Sequence, residues 1–96
     1  MGDPLIISID AVAGVLYVKR VRAHIVDARE ADSDSGLVLN MNESGETVGL
    51  QLQGALSIDT VWWRGHPDRA QLPEDLFSGV ERWLTDHSRP IRQKTA

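Results

Sequence analysis

The chain has 96 residues, a formal net charge of −4, and a composition that is 42% hydrophobic and 25% charged, which is typical of one globular domain. It contains no cysteine, which excludes a disulfide framework, zinc–thiolate sites and thiol nucleophiles and favours a cytoplasmic location. No apolar run approaches the roughly 18 residues that a membrane-spanning helix needs, and the N-terminus lacks a signal-peptide pattern, so we expect no membrane association.

Acidic residues are concentrated in the middle of the chain. Residues 23–59 contain seven aspartates and glutamates against Arg29 as the single base, a net charge of −6. A surface of this sign repels phosphate, so we expect no nucleic-acid partner. The same surface could serve solubility alone or could dock a basic protein, and the sequence leaves both interpretations open.

Three short strands are predicted in the first third of the chain. The runs Leu5–Ile9, Val15–Val21 and His24–Glu30 are rich in β-branched and apolar residues, which is typical of strands. Asp10–Gly14 is predicted as the turn between the first two strands, and Ala31–Ser35 as a polar loop after the third.

The stretch from Gly36 to Ala55 contains the clearest pattern in the chain, two strands joined by a tight turn. Apolar residues alternate with polar or small ones on both sides of the turn, which predicts strands with one face on a core and one face on water. The alternating apolar residues are Leu37, Leu39 and Met41 before the turn and Val48, Leu50 and Leu52 after it.

The register of this hairpin depends on the length of its loop. A four-residue loop, Asn42–Gly45, puts Leu39 opposite Val48 and keeps both apolar sets on one face, whereas a three-residue loop sends them to opposite faces. We therefore predict the four-residue loop, closed by Gly45 in the left-handed conformation. Gly49, inside the second strand, indicates a bulge or the close approach of another backbone.

Glycines and apolar residues around this hairpin follow a recognisable spacing. They are Gly45, Val48, Gly49, Leu50, Leu52, Gly54 and Ala55, preceded in the first two strands by Asp10, Leu16, Tyr17 and Val18. This pattern, over about residues 5 to 57, resembles domain of unknown function 2283, a family of very small bacterial proteins. The resemblance implies a small partner protein, of antitoxin type in those members that are encoded beside toxin-like genes. The family's recurrent acids are replaced here by Gly14, Asn40, Asn42 and Gln51, so the resemblance implies no acid or metal role at these positions.

The segment after the hairpin is aromatic and ambiguous. If Ser57–Arg64 is a strand, Trp62 and Trp63 point to opposite faces. If it is a helical turn, the two side chains lie about 100° apart and can share a face. Gly65–Gln71 is predicted as a loop.

One helix is predicted over residues 73–87. Its apolar residues form a single stripe and are Leu76, Phe77, Val80, Trp83 and Leu84. Pro73 suits the first helical position. Ser88–Pro90 is predicted to end the helix, and Ile91–Ala96 to form a loose basic tail.

Together these elements predict a single α+β domain. It consists of an antiparallel five-stranded β-meander over residues 5–53, an aromatic connector over 57–71, a C-terminal α-helix over 73–87 packed on one face, and a basic tail over 88–96. Five strands span about 19 Å, whereas one helix is about 10 Å wide, so the helix alone cannot cover the apolar face. Either the Trp62–Trp63 segment or a second copy covers the remainder, and we predict a homodimer.

The motifs of metal-binding and catalytic sites are missing from the sequence, so we predict no metal site, no cofactor and no catalytic residue. Asp32–Gly36 with Glu43 faintly resembles a calcium loop but has Leu37 where the loop needs glycine. The three histidines, His24, His66 and His87, show no metal-binding spacing.

Two hypotheses for the function remain open, and we lean away from an enzyme. In the first, a non-enzymatic interaction module self-associates or binds a partner in an antitoxin-like way, through a sheet edge or an aromatic patch. In the second, a small-ligand-binding or enzymatic domain uses the Trp62–Asp68 segment, where a deep cleft would favour a ligand and a flat exposed patch a partner. The candidate interaction or pocket residues are Trp62, Trp63, Asp59 and His66.

Overall fold

The computed structural model describes residues 4–31 and 36–94, and within these ranges it contains five strands and two α-helices. The strands are β1 (Leu5–Asp10), β2 (Val15–Arg20), β3 (Asp27–Glu30), β4 (Leu37–Met41) and β5 (Thr47–Gln53). The helices are α1 (Thr60–Arg64) and α2 (Glu74–Lys94), and short 3₁₀ turns lie at Ala55–Ser57 and Arg69–Gln71. Residues 32–35 of the predicted polar loop, and with them the calcium alternative, fall outside the described residues.

The five strands form one antiparallel sheet in the order β1-β2-β5-β4-β3, and α2 packs on one of its faces. The predicted α+β class, with a five-stranded antiparallel sheet and a C-terminal helix, is thereby confirmed. The meander is wrong at one link, because β2 pairs with β5 and not with β3. Burial explains the difference: β2, β5 and β4 carry the buried leucines and valines, whereas β3 is exposed along its whole length and therefore belongs at an edge. β3 also begins at Asp27, not at the predicted His24.

The β4–β5 hairpin has the predicted inner face but a different register. Leu39 lies opposite Leu50, and Leu37 lies opposite Leu52, so the predicted pairing of Leu39 with Val48 is wrong. All four leucines are buried in the same hydrophobic cluster. The prediction that the apolar residues of both strands share one face is therefore confirmed for these four leucines.

The loop of this hairpin is one residue shorter than predicted. The amide of Asn42 donates to the carbonyl of Glu46 over 3.0 Å, which leaves Glu43–Gly45 as a three-residue loop. Gly45 has a φ of 82° and closes the turn, as predicted. The side chain of Asn42 accepts hydrogen bonds from two turn amides, those of Ser44 and Glu46, at 3.0 Å each.

A bulge compensates for the short loop. Met41 pairs with Thr47, but the preceding residue, Asn40, pairs with Gly49, so Val48 is an extra residue with no partner on β4. The extra residue shifts the register by one. It thereby returns the apolar residues that follow it to the inner face, which a three-residue loop alone would not do.

Helix α2 lies close above β1 and β2. A Cβ atom built on Gly79 would be 2.7 Å from Cδ1 of Leu5 and 3.7 Å from Cγ1 of Val18, so the helix approaches these strands closely and a larger residue would have to displace the Leu5 side chain. The guanidinium of Arg20 donates to the carboxylate of Asp75 at 2.9 and 3.0 Å, and this ion pair joins β2 to the first turn of the helix.

The ends of α2 differ from the prediction. The helix begins at Glu74, and the carbonyl of Pro73 accepts a hydrogen bond from the amide of Phe77 at 3.1 Å, so Pro73 stands just before the helix. The helix continues to Lys94, so the predicted stop at Ser88–Pro90 and the predicted loose tail are wrong through residue 94. Pro90 lies within this helix. Its φ, fixed near about −65°, is compatible with helical backbone, but proline has no N–H to donate to the preceding turn.

The connector between β5 and α2 covers the part of the inner face that α2 leaves open. Trp63 of α1 is fully buried, and its ring stacks on Phe77 with 4.9 Å between ring centroids. Its indole N–H donates to the carbonyl of Phe77 over 3.0 Å. Leu37 and Leu39 of β4 are buried in the same cluster. A second copy is therefore not needed to cover the inner face.

Gly49 gives a test of the close approach between β5 and β2. A Cβ atom there would be 2.9 Å from the carbonyl oxygen of Val18, so we expect Gly49→Ala to lower the free energy of unfolding by about 1–3 kcal/mol through overpacking. Gly65→Ala is the control, because its Cβ would be in ordinary contact at 3.8 Å from the carbonyl of Val61. Urea denaturation measures both, and equal losses in the two variants would contradict the close approach.

Candidate functional site

Asp59, the first predicted site residue, has a structural role at the start of α1. It occupies the N-cap position, and its carboxylate accepts a hydrogen bond from the amide of Trp62 over 2.9 Å. A capping carboxylate satisfies an amide that the first turn of a helix leaves without a partner. Asp59 therefore fixes where α1 begins and which way its two tryptophans point.

The two neighbouring tryptophans lie in different environments. Trp63 faces inward and contacts Phe77, whereas Trp62 keeps 42% of its surface exposed. The segment is helical, which settles the ambiguity between strand and helix, but the two rings do not share a face. Trp62 is the candidate residue that presents an aromatic surface to solvent, and Val61 beside it is also exposed.

His66 lies between the two tryptophans and is 4% exposed. Its ring makes edge contacts with Trp62 and Trp63, at centroid distances of 5.0 and 5.3 Å. Its Nδ1 atom accepts a hydrogen bond from the amide of Asp68 over 3.0 Å, which requires a neutral ring with the proton on Nε2. Burial lowers the pKa of His66 below its ordinary value, and the nearby Asp68 carboxylate partly opposes this shift.

The rest of the connector makes side-chain contacts within its own residues and with α2. The buried carboxylate of Asp68 accepts a hydrogen bond from Nε2 of Gln71 over 2.9 Å. The guanidinium of Arg69 lies over the ring of Phe77 at 4.3 Å from its centroid. Arg64 donates to Glu81 of α2 at 3.0 and 3.2 Å. Residues 65–71, predicted as a plain loop, are therefore a packed part of the domain.

The four predicted site residues do come together in space, since all lie in or beside α1. Three of them support the fold: Asp59 caps the helix, and Trp63 and His66 are buried against it. A buried histidine that accepts from a backbone amide is held in place, and its environment keeps it neutral. The surface that this cluster offers to a binding molecule is the exposed part of Trp62, with the exposed Asp59 at the start of the same helix.

A second candidate surface is the face of the sheet opposite α2. Residues of β1 and β2 that alternate with the core residues point to it, and among them Ile6 is 48% and Tyr17 is 39% exposed. Ile6 pairs with Lys19 and Tyr17 pairs with Ser8, so the two apolar side chains are diagonal neighbours on this face. They form an apolar patch beside the edge of the sheet.

The edge next to this patch is formed by β1, which pairs only with β2 within the described part of the chain. The amide of Val21 donates to the carbonyl of Pro4 over 2.9 Å, so the backbone of Pro4 faces β2. In an antiparallel pair, every second residue of a strand has its backbone groups directed at the partner strand, and the residues between them have theirs directed away. The backbone groups of Leu5, Ile7 and Ile9 therefore point outward from the sheet.

The two edges of the sheet differ in chemistry. The β3 edge has four residues, DARE, of which three are charged, and charges of this kind discourage further pairing. The β1 edge has six residues, LIISID, with a single charge at its end. The sequence contained this signal, because Leu-Ile-Ile-Ser-Ile puts one isoleucine out of phase with the other apolar residues. The strand itself was predicted, whereas the outward position of Ile6 was not.

Comparisons with known proteins do not extend these observations. No protein-family model matches the chain, and no curated protein or solved structure matches it either. The resemblance to domain of unknown function 2283 therefore stays a prediction. Across residues 4–31 and 36–94, no group of three or more histidine or acidic side chains is arranged to hold a metal ion. In the same residues, no helix is both long and apolar enough to cross a bilayer.

The burial of neutral His66 predicts an acid-sensitive fold. The unfolded chain takes up a proton at His66 near pH 6.5, whereas the folded chain resists it, so the stability it contributes is full above about pH 6.5 and is lost as the pH falls. The variant His66→Asn keeps an acceptor near the Nδ1 position and does not titrate. Urea denaturation between pH 7 and pH 5 should show a steeper loss in the native chain than in the variant. Parallel losses would contradict this assignment.

The unequal burial of the two tryptophans gives a second test. We expect Trp63→Ala to lower the free energy of unfolding by about 3–5 kcal/mol, because it removes a buried ring and its hydrogen bond. The matched control Trp62→Ala removes a half-exposed ring that makes no hydrogen bond to the core within the described part of the chain, and it should cost clearly less than Trp63→Ala. Equal costs would mean that the two rings are not placed as described.

Proposed function

We propose that this protein is a non-enzymatic protein-interaction module that binds through the β1 edge of its sheet and the adjoining outer face. The observation that carries the proposal is the open β1 edge, where three outward backbone positions adjoin the exposed side chains of Ile6 and Tyr17. An extended segment of a partner can add to such an edge as a further strand. Backbone hydrogen bonds then give affinity, and the alternating side chains give specificity.

The state of the candidate pocket residues supports the same proposal. Asp59 and His66 make hydrogen bonds that hold the connector, and Trp63 fills the core. A reacting or ligand-binding group has to be reachable by the substrate, and His66 is 4% exposed. The resemblance to a family of small partner proteins agrees with an interaction role, including self-association or antitoxin-like binding in a bacterial cytoplasm.

The alternative is a small-ligand-binding or enzymatic domain that uses the Trp62–Asp68 segment. Its support is the exposed face of Trp62, which contacts the edge of His66 and could stack on a planar ligand. A ligand at this position would quench Trp62 fluorescence and would not depend on β1. The two functions therefore make different predictions for variants at the sheet edge.

Site-specific photo-cross-linking in the producing cell tests the proposal. A benzophenone amino acid replaces Tyr17, which is on the outer face beside β1, and in a control variant it replaces Thr85, which is exposed on α2. An interaction module should give a discrete protein adduct from position 17 and not from position 85. The adduct should disappear when charges are added to β1 by Ile6→Lys and Ser8→Lys. No adduct, or equal adducts at both positions, would contradict the proposal.

A further inference from the structure

We propose that the strand which adds to β1 is β1 of a second copy of this chain, so that two five-stranded sheets join into one continuous antiparallel sheet. This pairing rests on the proposed interaction function and adds to it a partner and a register. The outward backbone groups belong to Leu5, Ile7 and Ile9, so residues of this set must lie opposite one another. The register with the largest overlap sets Ile7 opposite Ile7 of the second copy and Leu5 opposite its Ile9.

The side chains of β1 are complementary to themselves in this register. On the inner face, Leu5, Ile7 and Ile9 are half-buried against the core of their own chain, and their remaining surface would meet the same residues of the second copy. On the outer face, Ile6 lies opposite Ser8 of the second copy. The one charge of the strand, Asp10, lies opposite Pro4. No like charges are brought together, which is the arrangement that favours strand pairing.

The other edge does not have this property. The amide of Ala31 donates to the carbonyl of Leu37, so the outward backbone groups of β3 are those of Ala28 and Glu30. With Ala28 opposite Glu30 of the second copy, Arg29 lies opposite Arg29 of that copy. Like charges directly opposite each other destabilise a strand pair. β3 is also shorter than β1 and exposed along its whole length. Self-pairing is therefore favoured at β1 and disfavoured at β3, which limits the assembly to two copies.

The position of α2 allows the two helices to meet across the new junction. Gly79 is close to side chains of both β1 and β2, and α2 also contacts β5, so the helix lies above the β1 side of the sheet. Antiparallel strands that join edge to edge are related by a twofold axis perpendicular to the sheet. The two helices would therefore lie on the same face of the joined sheet, one on each side of the junction.

Helix contact supplies the area that strand pairing alone lacks. A stable dimer buries roughly 1,200–2,000 Å² in total, which two short strands do not provide by themselves. Trp83 follows Gly79 by one helical turn and is therefore on the same flank of α2, towards the β1 edge. It is partly buried against the core, and the second helix would cover more of it. Large aromatic residues are enriched at such interfaces.

A charge-swap experiment tests both the partner and the register. In the proposed pairing, residue 6 of one copy lies opposite residue 8 of the other, and both side chains are exposed in the single chain. One variant carries Ile6→Lys and Ser8→Lys, and the other carries Ile6→Glu and Ser8→Glu. Each variant alone places like charges opposite each other. The equimolar mixture places lysine opposite glutamate. Sedimentation and native mass spectrometry report the species formed.

The native chain should be a dimer at about 100 µM, each variant alone should be a monomer, and the mixture should form a heterodimer of one copy of each. Recovery in the mixture also shows that the variants are folded. A monomeric native chain, variants that dimerise alone, or a mixture that stays monomeric would overturn self-pairing. If the native chain is a monomer while position 17 still cross-links to a different protein, the interaction function stands and the second copy as partner is excluded.

Discussion

The contact between Trp63 and Phe77 is the interaction on which the core depends, because it joins the connector to α2 within the buried cluster that covers the inner face of the sheet. The indole stacks on the phenylalanine ring and donates a hydrogen bond to the carbonyl of the same residue, so α1 is fixed to α2 by both packing and a directional bond. The Asp59 cap and the neutral His66 hold the short helix that carries this indole. The aromatic connector thus belongs to the buried cluster that includes Leu37 and Leu39 of β4, and its polar residues hold it there.

A chain that covers its own inner face needs no partner there. Recognition is then left to exposed surfaces such as the β1 edge, the outer face around Ile6 and Tyr17, and the exposed part of Trp62. The β3 and β1 strands are the two edges of the same sheet. The charges of β3 discourage pairing with a further strand, whereas the mostly uncharged β1 can accept one. The β1 edge is also self-complementary in charge and in register.

Local patterns predicted the elements well, whereas features that depend on compensation between distant residues were missed. The alternation of apolar residues predicted that Leu39 and Leu50 share one face, and the apolar stripe predicted helix α2 and the side of it that is buried. The hairpin register was wrong because a shorter loop and the Val48 bulge cancel each other, and no periodicity distinguishes that combination from a longer loop without a bulge. The strand order was missed because short connections favour the pairing of consecutive strands. Here burial places the apolar β5 beside β2 and leaves the exposed β3 at an edge. The split between Trp62 and Trp63 depends on Phe77, which is distant in sequence.

Amide hydrogen exchange followed by NMR at low and high protein concentration tests the central claim most directly. If one chain closes its own inner face and offers β1 to a second copy, the Trp63 indole N–H and the amides of β4 and β5 exchange slowly at both concentrations. The amides of Leu5, Ile7 and Ile9 become protected only at the high concentration. Protection of the Trp63 indole that appears only on concentration would contradict this account, and so would β1 amides whose exchange does not change.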